Sequence, residues 1–159
     1  MTDMLVKLYA LPPLEPVLNQ QSAQGISIRR AIAPERHHVL QWVRNHFYEG
    51  WGSECEVALS NRPISCWLAV EHGHLIGFGC YDCTAKGFFG PTGVSEAARG
   101  KGAGAALLLA CLHDMRWQGY GYGIIGGVGP IEFYERVAGA VVIPDSTPSV
   151  YAGMLESAE

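Results

Sequence analysis

The order of apolar and polar positions along the chain predicts strands that alternate with helices. Residues 26–32 alternate apolar and polar, which is typical of a strand with one buried face. Two apolar runs, 66–70 and 75–81, flank the turn His72-Gly73-His74 and predict a hairpin. Further strands are predicted at 88–94, 122–126 and 141–143. Strands and helices are interleaved, so the pattern predicts a mixed α/β (α+β) fold.

Proline, glycine and helical spacing predict the helices. Pro34 opens the first helix, since proline is tolerated in a first turn. In the second helix, at 50–60, Ser53 is the expected N-cap and Glu56 stands at the capping-box position. The predicted helices cover 34–47, 50–60, 102–118 and 130–139, and a short one begins at Pro148.

Two segments interrupt this pattern. Gly90-Pro91 lies inside the strand at 88–94, and proline has no N–H for the strand ladder, which predicts a bulge and a strand splayed from its neighbour. Residues 1–24 combine several prolines with a polar run and predict an extension and linker ahead of one domain at 25–159. The apolar stretch 4–11 is expected to dock on that domain or on a partner chain.

Composition narrows the function classes. Hydrophobic residues make up 48% of the 159 residues and charged residues 16%, which excludes a disordered chain. A net charge of −4 weighs against a protein that coats nucleic acid. No apolar run reaches the ~18 residues of a membrane span. We therefore expect a cytoplasmic protein with neither nucleic acid nor a membrane as its partner.

The five cysteines favour a reducing compartment, because their number is odd and a chain of this size folds without disulfides. Cys80 and Cys83 form a CxxC pair, which is compatible with half of a zinc site or with a redox pair. No second ligand pair follows at usable spacing, and the pair ends a strand rather than opening a helix. We interpret them as ordinary strand thiols and predict no metal site.

The segment Arg99-Gly100-Lys101-Gly102-Ala103-Gly104 lies between a strand and a long helix. The first turn of a helix has unpaired N–H groups and a partial positive charge, and glycine allows close approach of a ligand. Arg99 and Lys101 add full charges. The spacing fits neither the P-loop nor the dinucleotide-binding pattern. The segment therefore predicts an anion site, most simply for phosphate.

This segment matches the acyl-CoA signature [Q/R]-x-x-G-x-[G/A] and resembles the GNAT superfamily of N-acetyltransferases. Residues 133–140 resemble the family's later FY helix, and the similarity covers roughly 26–145. The resemblance implies a central mixed, mostly antiparallel sheet, splayed between its fourth and fifth strands and flanked by helices. It also implies acetyl-CoA (coenzyme A) as cofactor.

By the same resemblance, the amides of the glycine turn bind the CoA pyrophosphate, and the preceding strand contacts the pantetheine and the thioester. The cofactor-binding residues so implied are Gly93, Val94, Arg99, Gly100, Lys101, Gly102, Ala103, Gly104, Ala105 and Tyr134.

The resemblance implies direct acyl transfer, which needs a base for the amine and an acid for the leaving thiolate. Tyr134 matches the family's frequent acid, although Gly139 follows it with one residue more than usual. Gly127 replaces an Asn that often contacts CoA, and Phe88 stands where some members have a carboxylate.

The resemblance does not identify the residue that acts as the general base. Glu54 or Asp82, acting through a water relay, is preferred over the other candidates, Glu56, His37, His38, His46 and His74. Trp42, Phe47, Tyr48 and Trp51 are expected near the acceptor side, as an aromatic wall for a hydrophobic or cationic amine or as core.

The predicted function is transfer of an acetyl group from acetyl-CoA to a primary amine of a small molecule or peptide. A non-catalytic acyl-CoA-binding sensor and another kind of nucleotide- or phosphate-binding protein are the alternatives. A homodimer is expected on family grounds only.

Overall fold

A computed structural model describes residues 1–158 as a seven-stranded sheet with helices on both faces. The strands are Met4–Lys7 (β1), Ile26–Arg30 (β2), Cys66–Glu71 (β3), His74–Tyr81 (β4), Phe88–Val94 (β5), Tyr122–Ile125 (β6) and Val141–Val142 (β7). The α-helices are Glu15–Ala23 (α1), Arg36–His46 (α2), Glu49–Ser60 (α3), Ala103–Trp117 (α4) and Ile131–Ala138 (α5). None of the helices in this part of the chain is both long and apolar enough to cross a bilayer.

The strands lie in the order β2-β3-β4-β5-β6-β1-β7. Every neighbouring pair is antiparallel except β5 and β6, which run parallel. This confirms the expected mixed, mostly antiparallel sheet.

Helices α2 and α3 cover one face of the sheet and α1 and α4 the other. The apolar stripe of α4 (Leu107, Leu108, Cys111, Leu112 and Met115) is completely buried. Helix α5 packs beside α4, and its Tyr134 and Ala138 join the same core. The burial of α4 fixes the position of its N-terminus, where the glycine turn lies.

A partly buried ion pair, in which the carboxylate is the buried partner, joins the sheet to α4. Arg30 donates two hydrogen bonds to the carboxylate of Asp114, at 2.6 and 2.8 Å. The Tyr81 hydroxyl and the Trp67 indole N–H donate to the same carboxylate, at 2.7 and 3.1 Å. Burial alone would raise the pKa of Asp114, but these donors hold the pKa below its ordinary value. The carboxylate thus stays charged and ties three strands to the helix.

The expectation of an extension and linker at residues 1–24 is wrong for most of that segment. Residues 4–7 form β1, which pairs with β6 on one side and β7 on the other. Met4, Val6 and Leu8 are fully buried, so the apolar stretch docks on the domain. Residues 15–23 form α1, which packs on β2 and α4.

Two predicted helix starts also shift. Helix α3 begins at Glu49, because the Tyr48 carbonyl accepts hydrogen bonds from Trp51 and Gly52, and Ser53 therefore lies inside the helix instead of capping it. Pro34 opens a short 3-10 turn, Ala33–Glu35, ahead of α2. The short terminal helix after Pro148 is a single 3-10 turn, Ser149–Tyr151.

Candidate active site

Strands β5 and β6 diverge to form a cleft. They pair only through Phe88 with Ile124 and Phe89 with Ile125. On the other side of β5, Tyr81 lies opposite Phe89 and Gly79 opposite Thr92, so β5 takes one residue more than β4 over this stretch. The extra residue marks a bulge at Gly90-Pro91. The bulge and the splay confirm the interpretation of the proline in this strand.

A cavity of about 550 Å³ opens at the point of divergence. Its walls come from the bulge, from the loop after β6, from the start of α3 and from the segment at 151–154. The side chains that matter chemically are Tyr48, Trp51, Glu54, Tyr134 and Tyr151. Tyr134 and Glu54 were both candidate catalytic residues in the sequence. The structure brings them to one cavity from distant parts of the chain.

Tyr134 lies on α5 and is 8% exposed. The residue lines the cavity, and its hydroxyl makes no hydrogen bond within residues 1–158. Burial raises the pKa of Tyr134 above its ordinary value of 10.0. The phenol is therefore protonated at neutral pH and has a free proton to donate.

Glu54 lies on α3 and is half-buried. One of its carboxylate oxygens, Oε1, accepts a hydrogen bond from the Thr84 hydroxyl. Burial raises the pKa of nearby Tyr48, and the negative charge of Glu54 raises it further. The arrangement leaves Oε2 of Glu54 available to a ligand in the cavity.

Asp82 is not brought to this cavity. Its carboxylate accepts hydrogen bonds from the Tyr120 hydroxyl at 2.8 and 2.9 Å and from the Gly87 amide at 2.7 Å. Burial and the Asp82 carboxylate raise the pKa of Tyr120 to about 12. Asp82, which directly follows β4, lines a separate polar cavity, so the structure gives it a role in the 82–87 turn.

The predicted aromatic wall divides into two parts. Tyr48 and Trp51 line the cavity, with ring centroids 5.6 Å apart. Trp42 and Phe47 pack against Phe78 on the face of the sheet. Phe47 covers Gly93 so closely that a Cβ there would lie 2.3 Å from the ring. Gly93 is thus required by packing.

The backbone of β5 shows which of Gly93 and Val94 faces the cleft. The Ser95 amide donates to the Ile76 carbonyl of β4. Backbone groups alternate in direction along a strand, so those of Gly93 also turn towards β4 and those of Val94 towards the open edge. Val94 therefore suits the predicted contact with the pantetheine, and Gly93 does not.

The glycine turn meets the start of α4 with free donors. Gly100 and Gly102 both have φ of +85°, a conformation that favours glycine. No side chain caps the helix. Within residues 1–158, the N–H groups from Gly102 to Ala105 have no hydrogen-bond acceptor. A Cβ at Gly100 would meet no atom within 4 Å, so the turn is open to a ligand.

Both basic side chains of the turn contact oxygen atoms of the protein. Lys101 Nζ lies 3.1 Å from a carboxylate oxygen of Glu71. Arg99 is exposed, and its Nε lies 3.3 Å from the Val94 carbonyl. Their charges stay beside the free amides, and Arg99 is the one that can reorient towards an anion.

Some residues of the site were missed in the sequence. Tyr151 lines the cavity from the 3-10 turn near the end of the sequence, and Thr84 holds Glu54. Asp3 accepts hydrogen bonds from the Gly127 amide and the Ser149 hydroxyl. No local motif marks these residues, because they reach the site through contacts between distant parts of the sequence.

The cysteines and a second cavity lie apart from the free amides. All five cysteines are free thiols; Cys80 is buried, and its Sγ lies 3.7 Å from that of Cys55. The part of the chain that the structure describes holds no group of His, Cys, Asp or Glu arranged to bind a metal. A second cavity of about 430 Å³ lies between α2 and the β3–β4 hairpin and shares no lining residue with the cleft.

Solved structures share this fold at low sequence identity. A GCN5-related glucosamine N-acetyltransferase region of a fungal multi-domain GH3 β-N-acetylglucosaminidase superposes with a TM-score of 0.73 and 15% identity, over 89% of this chain and 19% of that one. A GCN5-related N-acetyltransferase from Sphaerobacter thermophilus superposes with a TM-score of 0.66 and 24% sequence identity. The match covers 89% of this chain and 48% of that one. A GNAT family acetyltransferase from Brucella melitensis, in complex with acetyl-CoA, superposes with a TM-score of 0.50 and 21% sequence identity. The match covers 74% of this chain and 86% of that one.

This chain thus spans less than half the length of the first two proteins. Among curated proteins, no sequence matches it. The Acetyltransferase (GNAT) family model matches residues 36–140, which is more than half of the chain. The matched range includes the splayed strands, the glycine turn and Tyr134. The chain belongs to the GNAT family of acetyltransferases.

Proposed function

We propose that this protein is an N-acetyltransferase that moves an acetyl group from acetyl-CoA to a primary amine by direct transfer. One observation carries the proposal. The cavity where β5 and β6 diverge is lined by both a protonated phenol, Tyr134, and a carboxylate, Glu54. These are the two kinds of group that a transfer from a thioester to an amine requires.

The start of α4 fits the diphosphate of coenzyme A. Its free amides, from Gly102 to Ala105, are donors at the positive end of a helix of 15 residues. The open space at Gly100 admits the ligand, and Arg99 adds a mobile charge. The free edge of β5 near Val94 leads from this turn to the cavity, along the expected course of the pantetheine.

Acetyl-CoA, when bound, supplies a thioester with an electrophilic carbon and a sulfur leaving group. Glu54 accepts the proton that the attacking amine loses as its nitrogen bonds to the acetyl carbon. Tyr134 donates its hydroxyl proton to the sulfur as the carbon–sulfur bond breaks. The products are an amide and a thiol, and transfer of a proton from Glu54 back to Tyr134 through solvent restores both side chains.

The first experiment measures cofactor binding and turnover separately. Acetyl-CoA should raise the melting temperature of the purified protein, because a ligand that binds only the folded state stabilises it. Release of free thiol should then follow addition of a suitable amine. Replacing Arg99 and Lys101 by Ala should weaken CoA binding and leave the fold intact.

The outcome decides between the alternatives. If CoA binds and no amine in a broad panel releases thiol, the chain is a non-catalytic acyl-CoA sensor. If ATP or NAD stabilises the protein and CoA does not, the anion site serves another ligand. A cytoplasmic location and a homodimer are further predictions, and the five free thiols are compatible with the former.

A further inference from the structure

We infer that the acceptor is a small primary monoamine with an apolar or aromatic body and no carboxylate or phosphate group. This inference rests on the proposed function and concerns the same cavity. It follows from the charge, the rings and the size of the cavity lining.

The lining side chains carry one kind of charge. Among residues 1–158, Glu54 is the only Asp, Glu, Lys, Arg or His that lines the cavity; Met1, which also lines it, is 76% exposed. Thr84 donates to its Oε1, and Oε2 has no donor from that part of the chain. An ammonium group can fill that place. No Lys, Arg or His side chain of the described residues lines the cavity, so a carboxylate on the acceptor would be desolvated beside Glu54 without a basic side chain to pair with.

Three aromatic rings line the same cavity as the carboxylate. Tyr48 and Trp51 lie next to each other, and Trp51 also packs on Phe47 with ring centroids 4.8 Å apart, which fixes its orientation. The third ring is that of Tyr151, whose hydroxyl lies 3.5 Å from the position of a Cβ on Gly126. Ring faces attract a cation and also bury an apolar body. The combination suits an amine carried on an alkyl or aryl-alkyl chain.

The cavity limits the size of the acceptor. Met1 and Met154 border it together with Tyr151, so residues from both ends of the described sequence lie over the cleft. About 550 Å³ must hold both the acetyl end and the acceptor, which is the range of a small-molecule site. A protein segment with its charged neighbours does not suit this space.

The test uses matched pairs of amines with the full chain and acetyl-CoA. 2-Phenylethylamine and phenylalanine differ only by a carboxylate, as do propylamine and 4-aminobutyric acid. Because like charges placed side by side cost several kcal/mol, we expect kcat/KM for each monoamine to exceed that of its acid by about 100-fold or more. A lysine-containing peptide is included as a third class.

Two variants locate the effect. Glu54→Gln should raise KM for the monoamine, lower kcat and narrow the gap between each amine and its acid. The matched control is Glu49→Gln, also on α3, because Glu49 is exposed and pairs with Arg44 outside the cavity. The control should behave as wild type.

The outcomes separate the two proposals. Turnover of phenylalanine or of the peptide at a rate equal to that of 2-phenylethylamine overturns the inference and leaves the N-acetyltransferase proposal standing. An unchanged preference in Glu54→Gln also overturns it. CoA binding with no turnover of any amine overturns both.

Discussion

The Tyr134 hydroxyl combines burial with the lack of any hydrogen-bond acceptor in the described chain. A phenol without an acceptor is neither oriented nor deprotonated by the protein, so its proton is available to a ligand. Asp82 shows the opposite case: two donors, the Tyr120 hydroxyl and the Gly87 amide, already occupy its carboxylate. At the scale of single residues, the partners that a side chain already has separate the candidate acid from an unsuitable base.

Tyr134→Phe should lower kcat by about 100-fold or more and change KM less, since a general acid acts mainly in the transition state. The protonated phenol is the active form, and burial places its pKa above 10.0. The midpoint of any loss of activity through ionisation of Tyr134 should therefore lie above pH 10, its ordinary value. Rates from pH 6 to 10 and the melting temperature of the variant check this. A variant that keeps wild-type turnover would remove Tyr134 from the mechanism.

At the scale of elements, the sequence predicts what local patterns control. The long helix α4, the Gly139 end of α5 and the bulge at Gly90-Pro91 each depend on neighbours in the chain, and each was predicted. Strand β1 was missed because it has four residues, is followed by prolines, and gains its hydrogen bonds only from β6 and β7. Pairing between distant segments leaves no local signal.

Helix α1 is the second missed element, and it contacts the glycine turn. Gln21, completely buried, donates from Nε2 to the Lys101 carbonyl at 2.9 Å, and Gln24 donates to the same oxygen at 3.0 Å. In a planar trans peptide the C=O and the N–H point in opposite directions. Fixing the Lys101 carbonyl towards α1 therefore turns the Gly102 amide away from α1, towards the open side of the turn.

Gln21→Leu should weaken binding of acetyl-CoA by about tenfold, the effect of losing one hydrogen bond that orients the amide. The variant should still turn over S-acetyl pantetheine, a thioester that lacks the diphosphate, at the rate of the wild-type protein. Gln20→Leu is the control, because Gln20 is exposed on the same helix. Titration calorimetry and the two thioester assays measure the effect. Equal losses with both thioesters would indicate a general defect in folding and contradict this role of α1.

At the scale of the whole molecule, Asp3 connects distant parts of the chain over the cleft. Its Oδ1 accepts from the Gly127 amide at 2.9 Å, and its Oδ2 accepts from the Ser149 hydroxyl. The Thr2 carbonyl also accepts from the Val128 amide, at 2.9 Å. One buried carboxylate thus holds the loop after β6 and the turn that carries Tyr151. The acceptor side of the cavity depends on it, and the start of α4 does not.

Asp3→Ala should therefore separate the two halves of the site. It should lower the free energy of unfolding by about 1–3 kcal/mol, because a partly buried amide and a partly buried hydroxyl lose their acceptor. KM for the amine should rise as Tyr151 and Gly127 lose their support, and the dissociation constant of CoA should stay the same. Lys7→Ala is the control, since Lys7 is exposed on β1, the strand that directly follows Asp3. Urea unfolding, amine kinetics and CoA titration measure the three quantities. A parallel loss of CoA affinity would show that the cleft and the glycine turn depend on one another, contrary to the separate supports that Asp3 and Gln21 provide.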